Sequence, residues 1–295
     1  MTDAAPRTVL ITGASSGIGR ATAVELAGRG DRLVLLARGA AALEDAASEA
    51  RAAGAADVVV APADVTDEAA LRKVVDEAVA RWGSLDVVVH GAQVMAYGRV
   101  EDVPAEVYET VVDTALHGSA NLARVVIPEF RRRGRGSLVV VSSLLASVAT
   151  PWMGSYIAAK WGQMGLLRVL QIENRDVPGI AISAVSPGGV DTPIYYQAAS
   201  YLGSTGRPPP PVYTPQRVAR RIVATIEKPE RQVHAGFANP LVVAGFRFLP
   251  GLYDALVTPL MGLAAIARDR VAPSTGNVLR SRPEENATRG RWRGL

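Results

Sequence analysis

Cysteine is absent from all 295 positions of the chain. That excludes disulfide staples, thiolate metal sites and a cysteine nucleophile, and no other feature asks for an oxidising compartment, so the cytoplasm is the expected location. Lysine is almost absent as well: Lys73, Lys160 and Lys228 are the only ones among 32 basic residues. In a chain so committed to arginine, each lysine is a candidate for a particular task. Aromatic residues amount to 5%, and they do not interleave with basic ones as a nucleic-acid surface requires. No apolar run is long enough to span a membrane, which takes about 20 residues with little interruption. The nearest approach is 241–267, where only Arg247 and Asp254 are charged but Pro250, Pro259 and several glycines intervene. It reads as a pocket wall, an oligomer contact or an interfacial patch with peripheral membrane contact. The first apolar stretch, Thr8 to Ile11, is too short for a signal-peptide core, so the N-terminus is expected to be mature as written.

What is present is the composition of a soluble globular protein, 48% hydrophobic and 20% charged, at a length that allows one large domain or two modest ones. The net charge of +4 resides entirely in 268–295, where seven arginines face Asp269, Glu284 and Glu285. Such a tail reads as a solvated or loosely docked terminus, with no specific nucleic-acid partner.

Runs rich in Val, Ile and Leu occur at Thr8–Thr12, Arg32–Ala37, Val58–Ala61, Leu85–Val89, Ser137–Ser142, Ile180–Val185 and, more weakly, Gln232–Ala235. They predict parallel strands buried on both faces. Between them, Ile18–Arg29, Ala41–Ala53, Glu68–Trp82, Ala105–Arg133 with a break near Gly118, Tyr156–Asn174 and Gln216–Glu227 carry apolar residues at helical spacing. Repeated βα units of this length predict a three-layer α/β/α architecture around a doubly wound parallel sheet, the Rossmann fold, as a single domain over 1–240 followed by the apolar extension 241–267 and the arginine-rich tail. Within the domain, 193–214 has tandem tyrosines and a run of prolines, and reads as a cover loop over a pocket or as a surface insertion.

After the first strand comes Gly13-Ala14-Ser15-Ser16-Gly17-Ile18-Gly19, followed at once by a helix. Glycines in that setting let the backbone approach a pyrophosphate, whose charge is stabilised by free N–H groups and the helix dipole. At the end of the second strand, where an acidic residue would hold the ribose hydroxyls of NAD, the chain has Arg38, suited to a 2′-phosphate; NADP is therefore expected over NAD. Asp64, before Val65, stands where an adenine edge could be held, or where a helix is N-capped. Tyr156 and Lys160 are four apart, so both side chains lie on one helix face, where a lysine cation lowers the pKa of a neighbouring phenol toward a useful range. Ser143, at the end of the fifth strand, could meet the Tyr156 hydroxyl across a carbonyl oxygen.

Taken together, TGASSGIG, VVVSS with YIAAK, and SPGGVDTP resemble the motifs of the short-chain dehydrogenase/reductase family over roughly residues 7–236. The resemblance implies that Ser143 orients a substrate carbonyl, that Tyr156 exchanges the proton, and that Lys160 holds the nicotinamide ribose. It further implies that Pro187, Gly188 and Thr192 flank the nicotinamide, with the backbone near Val190 contacting its amide, and that the protein is a homo-dimer or homo-tetramer paired through the helices of 105–133 and 156–174. Thr192 is also a natural N-cap before Pro193. Two departures stand out. Where the family has Asn-Asn-Ala-Gly, this chain has His90-Gly91-Ala92-Gln93, so only Ala92 is kept and the segment is expected to run under the adenine ribose through its backbone. The family's helical Asn aligns with Ala115, which cannot hydrogen-bond a relay water through its side chain, so such a water would fall to backbone carbonyls or to a neighbour such as His117 or Thr114. The function expected is NADP(H)-dependent hydride transfer between nicotinamide and the carbonyl or secondary alcohol of an apolar small molecule, without metal. The alternatives are an NADP-binding protein without turnover and a scaffold tethered by its basic tail. Leu144, Leu145, Trp152, Met153, Tyr195, Tyr196 and Tyr201 are candidate pocket residues.

Overall fold

The computed structural model describes residues 5–292. In chain order its elements are β1 (Thr8–Thr12), α1 (Gly17–Ala27), β2 (Arg32–Ala37), α2 (Ala40–Ala53), β3 (Asp57–Pro62), α3 (Glu68–Trp82), β4 (Val87–His90), β5 (Ala96–Tyr97), α4 (Ala105–Val112), α5 (Gly118–Arg133), β6 (Gly136–Val141), α6 (Gly154–Glu173), β7 (Ile180–Pro187), α7 (Ile194–Gln197), β8 (Ala199–Ser200), α8 (Pro215–Glu227), β9 (Gln232–Ala235), α9 (Asn239–Phe248) and α10 (Pro250–Ala264). Seven strands form one parallel sheet in the order β3-β2-β1-β4-β6-β7-β9, and β5 pairs with β8 in a separate small ladder. This is the doubly wound sheet predicted from the alternating runs.

The strands read as unbroken apolar stretches because helices cover both faces of the sheet. All five residues of β1 are buried. One core packs Val9 and Ile11 with Leu26, Leu35, Leu43 and Ile222; the other packs Leu10 and Val34 with Leu71, Val88, Val126 and Phe130. Successive residues of β1 thus feed opposite cores, each apolar side chain contributing about 1.5–3 kcal/mol of burial. Helix starts follow capping chemistry. Asp67 accepts from the Ala70 N–H at 3.0 Å to begin α3, and Thr214, followed by Pro215, caps α8, an arrangement worth about 1 kcal/mol. Asp67, not Asp64, is therefore the helix cap in that loop.

The break expected near Gly118 is a turn of π-helix over Asp113–His117 that joins α4 to α5 without a loop. A Cβ on Gly118 would lie 2.7 Å from a Val65 methyl, so glycine lets the helix approach the end of the third βα unit. Extension 241–267, with no strong periodicity, forms the two helices α9 and α10. Phe246 packs edge-on against Trp161 of α6, centroids 6.1 Å apart, and Tyr253 meets Phe246 edge-on in turn, at 5.1 Å. No helix among the described residues is long and apolar enough to cross a membrane.

The tail departs from expectation. Instead of a loosely docked, solvated terminus, residues 274–292 run back across the C-terminal edge of the sheet. Val278 is fully buried, Asn277 N–H donates to the Gln197 carbonyl at 2.8 Å, and Gly290 N–H donates to the Asp191 carbonyl at 3.1 Å. Arginine density does not reveal this, since the segment docks mainly by backbone groups, which every sequence supplies.

Candidate active site

Strand ends β1, β2, β3, β4, β6 and β7 open on one crevice, the position where an open α/β sheet places its ligands. The crevice is a cavity of about 720 Å³, within the range of small-molecule sites. At one end lie Gly13, Ser15, Ser16, Gly17, Ile18 and Gly19, with Arg38, Asp64, Val65 and Ala92 beside them; at the other lie Ser143, Tyr156 and Lys160, with Pro187, Gly188, Val190 and Thr192 opposite. Every residue singled out for these two ends lines this one cavity.

The turn after β1 is built for close approach. Gly13 has φ +69°, and a Cβ there would sit 2.7 Å from the Gly91 backbone. Gly17 has φ +53° and a Cβ would press on the Thr192 side chain at 3.1 Å; Thr192 faces this turn and does not cap a helix. A dinucleotide fits these residues, since the glycines leave backbone and helix N–H groups bare of side chains where phosphate must come close. Thr12 organises the adjoining strand: its hydroxyl accepts from the Gly91 and Ala92 N–H groups, both at 3.2 Å. It therefore turns its own proton toward His90 Nδ1, 2.8 Å away, which places the imidazole proton on Nε2. Burial pushes the His90 pKa down to about 3, with Lys160 acting the same way. Asp64 accepts from the Thr66 N–H and hydroxyl at 2.9 and 2.8 Å, a local turn that fixes its carboxylate at the cavity edge.

At the other end, Ser143 follows β6 and its Oγ accepts from the Leu145 N–H at 3.1 Å, leaving the hydroxyl proton to point elsewhere. Tyr156 and Lys160 occupy the first turns of α6, with Nζ 5.7 Å from the phenol ring centroid. Lys160 is only 2% exposed. Its Nζ donates to the Val141 carbonyl at 3.0 Å and to Gln163 Oε1 at 3.1 Å, and burial pushes its pKa down to about 7. Burial likewise pushes Tyr156 up to about 12, the Ser143 hydroxyl opposing. Burial therefore holds the phenol above its ordinary value in the protein alone, the opposite direction to the lowering expected from a lysine at helix spacing.

Gln163 is the residue that motif reading missed. Fully buried, it accepts from Lys160 and donates to the Ala115 carbonyl at 3.1 Å and to Ser119 Oγ at 2.8 Å. The π-turn presents that carbonyl, which also accepts from the Ser119 hydroxyl. Lys160 is therefore tied to position 115 by a side chain from its own helix. His117 and Thr114 do not substitute: His117 pairs with Asp113 on the surface at 2.7 Å, and Thr114 bonds back to the Thr110 carbonyl. The only advance signal was position, Gln163 lying three residues after Lys160 and so on its helix face. Of the candidate pocket residues, Leu144, Leu145, Met153 and Tyr195 line the cavity, whereas Trp152, Tyr196 and Tyr201 do not. Trp152 sits beneath Gly262 of α10, Tyr201 against Gly98, and Tyr196 donates to the Glu285 carbonyl of the docked tail.

Residues 7–200 match the model of the short chain dehydrogenase family. The chain belongs to that family. It is 39% identical over 191 residues to 11-beta-hydroxysteroid dehydrogenase A of Sesamum indicum, a match covering 64% of this chain and 54% of that one; the chain thus spans about half the length of this curated relative. Among solved structures, it resembles the alcohol dehydrogenase of the archaeon Thermococcus sibiricus complexed with 5-hydroxy-NADP, at TM-score 0.66 and 28% identity, over 77% of this chain and 94% of that one. It also resembles a short chain dehydrogenase from Mycobacterium paratuberculosis bound to NAD, at TM-score 0.67 and 26% identity, over 77% and 95%.

Proposed function

We propose that the protein reduces the carbonyl group of an apolar small molecule with NADPH, Tyr156 supplying the proton. One observation carries this reading: the Ser143, Tyr156 and Lys160 side chains and the glycine turn converge on a single cavity. A bound dinucleotide supplies the hydride. Ser143, its oxygen already accepting from Leu145, directs its proton to the substrate oxygen and holds the carbonyl beside the phenol. Tyr156 carries its proton at neutral pH and can donate it to a developing alkoxide; in alcohol oxidation the same group, as phenolate, would take the proton back. Lys160, held by Gln163 and Val141, offers its cation to the phenolate left after proton transfer and its remaining N–H to a ribose hydroxyl. Arg38 is the group for the 2′-phosphate.

Substrate class follows from the outer wall. Leu249, Leu252, Leu256 and Leu260 of the α9–α10 hairpin line the cavity, and each is about half exposed, so one apolar surface runs from the site to the outside. That surface also supports peripheral membrane contact. Trp161, Val169 and Ile172 leave apolar area on the outer side of α6, which supports pairing of copies through that helix, although α9 covers part of it.

Replacing Tyr156 by Phe tests the reading. NADPH oxidation with apolar ketones is expected to fall by at least about 10²-fold, the usual contribution of a general acid, while NADPH affinity stays within a factor of about two. Retained turnover in Tyr156→Phe removes Tyr156 from the role.

A further inference from the structure

The docked tail meets the glycine turn at its ligand-facing atoms. The Ala287 carbonyl accepts from the Gly17 N–H at 2.9 Å and from the Ser16 hydroxyl at 3.0 Å. Nine and ten residues earlier, the Val278 and Asn277 carbonyls accept from the two terminal nitrogens of Arg38, at 2.9 and 2.5 Å. Gln197 clasps the segment at both ends, donating to Asn286 Oδ1 at 2.9 Å and accepting from Asn277 Nδ2 at 3.2 Å. The donors taken are those of a helix N-terminus and of a guanidinium. Arg38 is part-buried, and none of the ion pairs among the described residues includes it. A guanidinium withdrawn from water and met only by neutral carbonyls is under-compensated, and burial holds it below its ordinary pKa, with Asp64 acting the other way. An anion would satisfy it better, because charge-assisted hydrogen bonds are roughly twice as strong as neutral ones.

We propose that residues 277–287 are a built-in competitor for the cofactor's phosphates, their carbonyl oxygens occupying Arg38, Ser16 and Gly17 until a 2′-phosphate displaces them. The proposal rests on the dinucleotide reading given above. A cofactor with a free 2′-hydroxyl has no need of Arg38 and leaves the Asn277–Val278 contact in place, so the strap taxes the two dinucleotides unequally. A carbonyl held nearby by the chain competes at high effective concentration, and apparent affinity falls by the fraction of molecules with the strap open. Only a strongly accepting group, such as a phosphate dianion, repays its release. The strap thereby sets how steeply the protein distinguishes NADP from NAD, a property that would otherwise be assigned to Arg38 alone.

The full-length chain allows two readings of the same event. With limited trypsin, saturating NADP is expected to speed cleavage after Arg280 and Arg289 severalfold, and NAD to do so less. Separately, the double variant Asn277→Ala/Asn286→Ala, checked for a native melt, loses the Gln197 clasp and is expected to bind NADP about tenfold more tightly by calorimetry, about what two lost hydrogen bonds are worth, with a smaller change for NAD. Protection of those sites by NADP, or weaker NADP binding by the variant, overturns the proposal and makes the strap a cover that helps to hold the cofactor. If neither dinucleotide binds wild type or variant, the cofactor reading itself falls, an outcome distinct from tight binding with a protected strap.

Discussion

Changing Gln163 to Leu removes the acceptor that Lys160 Nζ meets at 3.1 Å while roughly keeping the volume of the side chain. A hydrogen bond to a buried charged group is worth about 1.5–3 kcal/mol. At about 1.4 kcal/mol per pH unit, losing it drops the Lys160 pKa by about one to two units. Lys160 starts at about 7. A lowered ammonium pKa means that the cation is present below it and lost as pH rises through it. Carbonyl reduction that depends on the cation therefore fails on the alkaline side, and Gln163→Leu moves that limb to about pH 5–6, with kcat/KM at pH 7 falling roughly tenfold. Gln163→Glu keeps an acceptor and adds a negative charge, so its limb moves up. The assay is kcat/KM for NADPH-dependent reduction of one apolar ketone from pH 5 to pH 9, for all three proteins. Loss of packing alone lowers the whole profile without moving it, so a profile of unchanged shape in Gln163→Leu would refute the argument.

Three further outcomes follow from other parts of the site. His90, held down to about 3 by burial, stays neutral in the folded chain while its unfolded counterpart takes up a proton below pH 6.5, so stability is lost as pH falls from about 6.5 toward 3, by about 2 kcal/mol at pH 5. In urea titrations at pH 7 and pH 5, His90→Asn is expected to remove that part of the acid loss; identical pH dependence in both proteins contradicts it. Gly13→Ala forces a Cβ to 2.7 Å from the Gly91 backbone at φ +69°, and Tm is expected to fall by about 5–10 °C, as roughly 3 kcal/mol implies for a domain this size; an unchanged Tm would mean that the β1–β4 gap is slack. Leu252→Asp with Leu256→Asp puts charge on the exposed side of α10 and is expected to abolish co-sedimentation with phosphatidylcholine vesicles while leaving the melt intact. Absence of vesicle binding by the wild type would remove the membrane reading of that hairpin.

Local chemistry was legible in the sequence wherever it repeats or sits in one motif. β1 and β2 begin and end where the Val, Ile and Leu runs do, and α3 spans Glu68–Trp82 as its spacing predicts. The glycine turn and the YIAAK helix were visible because their residues are neighbours in the chain. Contacts made by backbone across great sequence distance left no such trace. The Ala287 carbonyl is held by Ser16 and Gly17, yet nothing about an alanine announces an acceptor for a helix N-terminus. Gln163 escaped because two of its partners, the Ala115 carbonyl and Ser119 Oγ, stand 48 and 44 positions away on another helix, and the phenol's raised pKa escaped because spacing reports proximity but not burial. Tyr196 and Tyr201 look like pocket residues by composition, yet their neighbours in space, Glu285 and Gly98, are far away in sequence.

Ser16 and its partner Ala287 are separated by 271 positions. Synthesis at about 5–20 residues per second puts roughly 15–50 s between the appearance of the glycine turn and that of the segment lying on it. The central strand β1 pairs with β2 and β4, all encoded before residue 91, so every strand that flanks the turn is made early. Under the strap proposal, a dinucleotide present during synthesis would meet Arg38 and the α1 amides before any carbonyl of 277–287 exists to contest them.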